Sequence, residues 1–183
     1  MAISNKEMYH GAVLYQVVSN PDFSLKLIER DKDEHNSGMY EVTTNTKDYV
    51  LYIKYRSQTR FGGPCCDFSF LPTYINNLRR YPDKDLLVCL VCHNNHICVL
   101  TRPDLDKLGL LQGNGSCGLT VYWQKGSELT VRSKYTKLPY KIPRNRLKNF
   151  DWYFFYTVNR KPALIYCSAT SLSLKANFWV PII

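Results

Sequence analysis

Between Lys125 and Lys161 the chain gathers ten cations: Lys125, Arg132, Lys134, Lys137, Lys141, Arg144, Arg146, Lys148, Arg160 and Lys161. Only Glu128 and Asp151 oppose them in that stretch. Aromatic residues are interleaved, namely Tyr122, Trp123, Tyr135, Tyr140, Phe150, Trp152 and Tyr153. Ammonium and guanidinium groups meet phosphates and release condensed counterions, while aromatic faces stack on unpaired bases. The chemistry implied is a grip on nucleic acid, DNA or RNA. Lys125, Arg132, Lys134, Lys137, Lys141, Arg144, Arg146 and Lys148 would meet phosphate, and Tyr135, Tyr140 and Trp152 would stack or support. Two other readings fit the same residues. One is a solvated basic face over a core built from the aromatics; the other is a docking face for an acidic protein partner.

A second cluster, Cys89-x-x-Cys92-His93-Asn94-Asn95-His96-Ile97-Cys98, has ligand types suited to zinc. Its setting argues against that use. Cys89 and Cys92 sit three apart in an apolar run, so on a strand they point to opposite faces, whereas a tetrahedral site needs converging ligands. If Asn94-Asn95 turns a hairpin, His93 pairs with His96 and Cys98 shares their side, which still leaves one ligand missing. The plainer reading makes the thiols small buried hydrophobes and the imidazoles solvated at a turn. Vicinal Cys65-Cys66 does not suit a relaxed disulfide. The four histidines, at 10, 35, 93 and 96, offer no local pattern for a Cys-His hydrolase. No glycine-rich loop followed by Lys-Ser/Thr, and no dinucleotide fingerprint, is present.

The 183 residues are 45% hydrophobic, enough for one domain with a real core and against wholesale disorder. No apolar run approaches the roughly 20 residues of a membrane helix. The start, Met-Ala-Ile-Ser-Asn-Lys-Glu, lacks an apolar leader. A soluble, intracellular (cytoplasmic) protein without a membrane partner is expected, and its seven cysteines read as reduced thiols. Residues 1–120 hold 13 Lys+Arg and 13 Asp+Glu; residues 121–183 hold 11 and 2, which accounts for the whole net charge of +9.

The elements that must position these groups follow from pattern and punctuation. Ser4-Asn5-Lys6-Glu7 has capping-box form, and Met8, Ala12 and Tyr15 repeat at helical spacing, so a helix is expected over 5–19, stopped at Asn20-Pro21. Strands are expected over 23–30, 39–44 and 48–56, with turns at 31–38 and 45–47. A loop over 58–67 leads to a short strand at 68–70. Pro72 leads a helix over 73–81, and the apolar run 86–92 reads as a buried strand. Strand 97–101 and a helix from Pro103 to Leu108, capped near Thr101 or Arg102, come next. Beyond Gln112-Gly113-Asn114-Gly115-Ser116, strands at 119–123 and 128–135 pair around Lys125-Gly126, and 164–167 and 177–182 add apolar segments. Composition and charge change together near 112–118. The expected division is an α/β unit over 1–112 and a basic, aromatic-rich β appendage over 118–183 packed on it.

The front unit thus reads helix, strand, strand, strand, helix, strand, an order that resembles the core of the restriction-endonuclease-like PD-(D/E)xK nucleases over about residues 5–100. The fold class implied is α/β or α+β: a mixed central sheet flanked by helices, with the basic β-rich region after it. In that family an acid on the second strand, and an acid and a lysine two apart on the third, hold Mg²⁺ and support the nucleophile. Glu41 in Tyr40-Glu41-Val42, Lys54 in Tyr52-Ile53-Lys54, and Glu7 on the first helix fall at matching places. Tyr52 stands where the acid belongs, and Asp48 shares its strand face roughly 13 Å away. The primary expectation is an intracellular nucleic-acid-binding protein, a degenerate or divergent nuclease of a restriction or defence type. The alternatives are a Mg²⁺-dependent DNA endonuclease using Glu41, Lys54, and Glu7 or Asp48, and a small inhibitor that binds an acidic or nucleic-acid-binding protein.

Overall fold

A computed structural model describes residues 5–19, 24–29, 37–44, 47–57, 59, 63–93 and 96–150, all within the compact unit Met1–Tyr153. The expected segments at 164–167 and 177–182 lie outside these residues, as do Ser4, Asn20-Pro21, the turn over 31–36, Asn94-Asn95 and Trp152.

The chain runs α1 (Asn5–Val18), β1 (Ser24–Glu29), β2 (Ser37–Thr43), β3 (Asp48–Arg56), β4 (Cys65–Phe70), α2 (Pro72–Arg79), β5 (Asp85–Cys92), β6 (His96–Thr101), α3 (Arg102–Lys107), β7 (Cys117–Tyr122) and β8 (Thr130–Ser133). Five strands form a mixed sheet in the order β1-β2-β3-β5-β6. Only β3 and β5 run parallel, with Tyr52 opposite Val88. A parallel neighbour demands a crossover, and the chain spends it on β4 and α2. A second, three-stranded antiparallel sheet has the order β4-β7-β8. The architecture is α+β.

Period-two alternation decides what each sheet face covers. Val50 and Tyr52 on β3, Val88 and Leu90 on β5, and Leu100 on β6 share one core with Cys66, Phe68 and Phe70 of β4 and Leu119 and Val121 of β7. Ile75 and Leu78 of α2 and Leu105 of α3 join it. The opposite face of the five-stranded sheet presents Tyr49, Leu51, Ile53, Leu87, Cys89 and Val99, packed with Val13 and Val17 of α1 and with Leu147. Tyr9 of α1 stacks on Tyr55 at 4.0 Å between ring centroids. Because β5 lies between these two cores, its run from Leu86 to Cys92 is buried throughout.

Two expectations are corrected. Cys65–Phe70 forms a full strand rather than a short one at 68–70, and it leaves the expected helix-and-strand order to found the second sheet. The composition change near 112–118 does not mark a break in packing: β4, from the neutral front, pairs with β7 across it, with Phe68 opposite Leu119. Apolar alternation on both strands outweighs the charge step, since burying those side chains is worth roughly 1.5–3 kcal/mol each.

Candidate nucleic-acid interface

The second sheet turns its apolar side chains inward, so the alternate residues face out. Register lines up Asp67, Thr120 and Arg132 across the three strands. Thr120 donates its hydroxyl to Asp67 at 2.6 Å. Arg132 lies 4.8 Å from the ring centroid of Tyr122. After β8 the chain reverses: the Ser133 hydroxyl accepts from the backbone N–H groups of Tyr135 and Thr136 at 3.1 Å each. Backbone bridges then pair Arg132 with Lys137 and Leu129 with Ile142. Leu138 and Ile142 are buried and pin this return strip, which leaves Lys134, Lys137 and Lys141 exposed along it. Tyr135, 60% exposed, is at its tip beside Lys134.

These residues enclose a groove of about 360 Å³ lined by Tyr122, Trp123, Gln124, Ser127, Thr130, Arg132, Lys137 and Lys141, with Glu128 as its acid. Arg132 also borders a second, broader depression that includes Asp67, Ser69, Thr120 and Lys134. Among the described residues, no acid pairs with Arg132, Lys134, Lys137 or Lys141. Excess cations around a concave surface raise the local anion concentration.

Other expected contact residues hydrogen-bond within the fold. Arg144 donates to the Ser127 and Gln124 carbonyls at 2.6 Å each and clamps the turn that forms one wall. Arg146 donates to the Val99 carbonyl at 3.0 Å and to Asp104 at 2.8 Å. Tyr140 donates its hydroxyl to Asp104, which also accepts the backbone N–H and hydroxyl of Thr101 at the start of α3. Burial alone would raise the Asp104 carboxyl, but the Thr101 N–H, the Tyr140 hydroxyl and the Arg146 guanidinium outweigh it and hold it below its ordinary value. Guanidinium donors satisfy buried carbonyls as readily as phosphates, which is why sequence alone did not separate the two uses. Lys125 is exposed on the turn beside the groove. Lys148 is exposed after Leu147, which packs in the α1-side core, so it does not belong to the groove. Trp152 lies outside the described residues.

The residues matched to a nuclease do not converge. Glu41 lies opposite Val50 on β3, four residues from Lys54, or about 13 Å along the strand. Glu41 instead pairs with Lys84, whose ammonium also lies 3.9 Å from Asp48. Lys47 pairs with Asp85 beside them. Lys54, 6% exposed, is set between the rings of Phe70 and Tyr74 at 5.4 and 5.3 Å. Glu7 is exposed on α1, which covers the other sheet face. With Tyr52 in the core and Glu41 held by Lys84, these residues do not fit a Mg²⁺ ion. Lys84 was the partner that sequence reasoning missed; its position in Asp83-Lys84-Asp85, just ahead of β5, was the available signal.

The Cys/His cluster divides as strand period requires: Cys89 packs in one core and Cys92 in the other. The hairpin register differs by one residue from expectation, since His96 lies opposite Cys92 rather than His93. His96 packs against Trp123 at 5.1 Å between ring centroids. Burial, aided by Arg144, lowers the His96 pKa. Among the described residues no three His, Cys, Asp or Glu side chains are grouped to hold a metal ion, and no helix is long and apolar enough to cross a membrane. Comparison of the chain with protein-family models, with curated proteins and with solved structures finds no match.

Proposed function

We propose that this protein binds nucleic acid through the outer face of the β4-β7-β8 sheet. Arg132, Lys137 and Lys141 contact phosphates, and Tyr122 and Trp123 furnish the aromatic wall beside them. The observation that carries this reading is the groove itself: three exposed cations around it, against the single acid Glu128. An open antiparallel face with cations and aromatic rings suits a strand whose backbone is tracked by charge and whose bases lie flat on side chains. The five-stranded sheet is read as a restriction-endonuclease-like core of a restriction or defence type that keeps its shape and has lost its metal site. Supporting this are the order α1, β1, β2, β3, then α2 and β5 after the intervening β4, and the buried Tyr52 standing where the third-strand acid belongs.

The test is fluorescence anisotropy with a labelled single-stranded oligonucleotide and the matching duplex, across a salt titration. Three phosphate contacts predict that log affinity falls with log salt at a slope of about −2 to −3. The same measurement on Arg132→Ala/Lys137→Ala/Lys141→Ala should return a nearly flat line. An affinity that ignores salt in the unsubstituted protein, or a triple variant that binds as tightly, removes the proposal.

A further inference from the structure

The acid in the groove needs a physical account, because a carboxylate repels phosphate. Glu128 is exposed and lines the groove with Gln124, Ser127 and Thr130. Among the described residues no ion pair engages its carboxylate. The hydrogen bonds of Gln124 and Glu128 run through their backbone atoms, which leaves the carboxamide and the carboxylate open to a ligand. The backbone beneath them is held from several sides. Gly126 adopts a φ of 76°, which lets the chain reverse there. The Ser127 N–H donates to the Gln124 carbonyl at 3.1 Å, and the Gln124 N–H donates to the Ser127 hydroxyl at 3.2 Å. Arg144 grips the carbonyls of both residues. Leu129, next to Glu128, exchanges two backbone hydrogen bonds with Ile142, at 2.8 and 2.7 Å. Trp123 donates its backbone N–H to the Pro64 carbonyl at 3.0 Å, and His96 packs against its ring. Polar groups on a pinned turn can discriminate between ligand edges, which a loosely held side chain cannot.

We propose that Glu128 makes this groove selective for an unpaired guanine in a single strand, an inference that rests on the nucleic-acid reading given above. An ionised carboxylate only accepts hydrogen bonds. The Watson–Crick edge of guanine sets two donors side by side, the N1–H and an N2 amino hydrogen, so both oxygens of Glu128 are engaged at once. Cytosine and adenine each place an amino donor beside a ring acceptor, which repels the second oxygen. Thymine and uracil have one N–H between two carbonyls. The Gln124 carboxamide, on the same turn, supplies a donor for guanine O6. The base lies on Trp123, and Arg132, Lys137 and Lys141 take the flanking phosphates. Unpaired bases are read in this way, by stacking together with hydrogen bonds to an edge that a duplex would cover. A groove of about 360 Å³ suits a single nucleotide.

The experiment measures fluorescence anisotropy with a labelled oligothymidine and with the same strand carrying G, A or C in place of one central T. The guanine strand should bind about tenfold tighter than oligothymidine, as a good bidentate contact to a base discriminates. The adenine and cytosine strands should stay within about threefold of oligothymidine, since each makes at most one such bond. In Glu128→Gln the side chain offers one acceptor and one donor, so the guanine preference should fall to about twofold or less. Oligothymidine affinity should hold or rise in that variant, which also shows that the groove is intact. GMP should displace the guanine strand only at concentrations far above the strand's own, because it brings one phosphate to three cations. GMP as potent as the strand would assign the base to a free nucleotide and overturn the proposal. Salt-sensitive binding that treats all four strands alike, or a guanine preference that survives in Glu128→Gln, also overturns it and leaves the groove's hold on phosphate standing. Binding that is absent or indifferent to salt removes both readings together.

Discussion

At one end of the five-stranded sheet, Lys84 reaches Glu41 and Asp48, and Lys47 reaches Asp85. On the outer face of the three-stranded sheet, Arg132, Lys137 and Lys141 border a groove with only Glu128 among them. The first region spends its charges on itself. Its acids and lysines are partly hydrated, and such pairs contribute little to stability. The second leaves positive charge unspent, and an anion would relieve it. Counting charges along the chain weights the two regions wrongly, since what separates them is whether the partner already lies within the fold.

The contrast is broken most directly by exchanging lysines. Removing all three groove cations as alanine should weaken oligonucleotide binding by roughly a hundredfold or more at 0.1 M salt, because each lost phosphate contact removes about 0.7 to 0.9 of log–log slope. Lys47→Ala/Lys84→Ala should change affinity by less than about twofold in the same assay, if location rather than total charge governs binding. Equal losses from both variants would reduce the groove to a share of the overall charge.

A third kind of charge sharpens the comparison. Asp104 is 2% exposed and has Arg146 and Tyr140 as partners. Asp104→Ala should cost about 3 kcal/mol in urea unfolding, since a buried pair broken on one side leaves the other charge uncompensated. Acid should reveal the same group. Its carboxyl is held below the ordinary value, so the folded form binds its proton less readily than the unfolded chain does. The associated stability is present above the ordinary carboxylate pKa of about 3.9 and disappears as pH falls through the lower folded value. Asp104→Asn should flatten that limb of the stability–pH curve. Glu41→Gln should have the smallest effect, about 0.5 kcal/mol or less by denaturant titration, because its partner Lys84 keeps water and a second acid nearby.

Much of the local structure was legible. Asp48–Arg56 forms the strand its Tyr, Val and Ile content predicted, and Pro72 opens α2. Thr101 caps α3. What escaped was partnership at long range. Nothing within Cys65–Phe70 names β7 as its neighbour, and nothing in Arg144 or Arg146 tells a phosphate from the carbonyls of Ser127 and Val99. The site was legible to the same degree. Arg132, Lys137 and Lys141 were foreseen as a cationic set with Trp123 among the interleaved aromatics, while Gln124 and Ser127, which also wall the groove, were not, because a wall is made only when the turn at 125–126 folds under Arg144.

The placement of β4 has a consequence in time. Its partner residues in β7 arrive late, with Asp67 and Thr120 fifty-three positions apart, while β1, β2 and β3 can zip together as successive neighbours. Distant pairings are slow because the intervening loop must close first. On a growing chain, the edge of β4 that pairs with β7 therefore waits through the synthesis of α2, β5, β6 and α3. The three-stranded sheet is the last piece to assemble, and the stretch before it is where aggregation competes with folding.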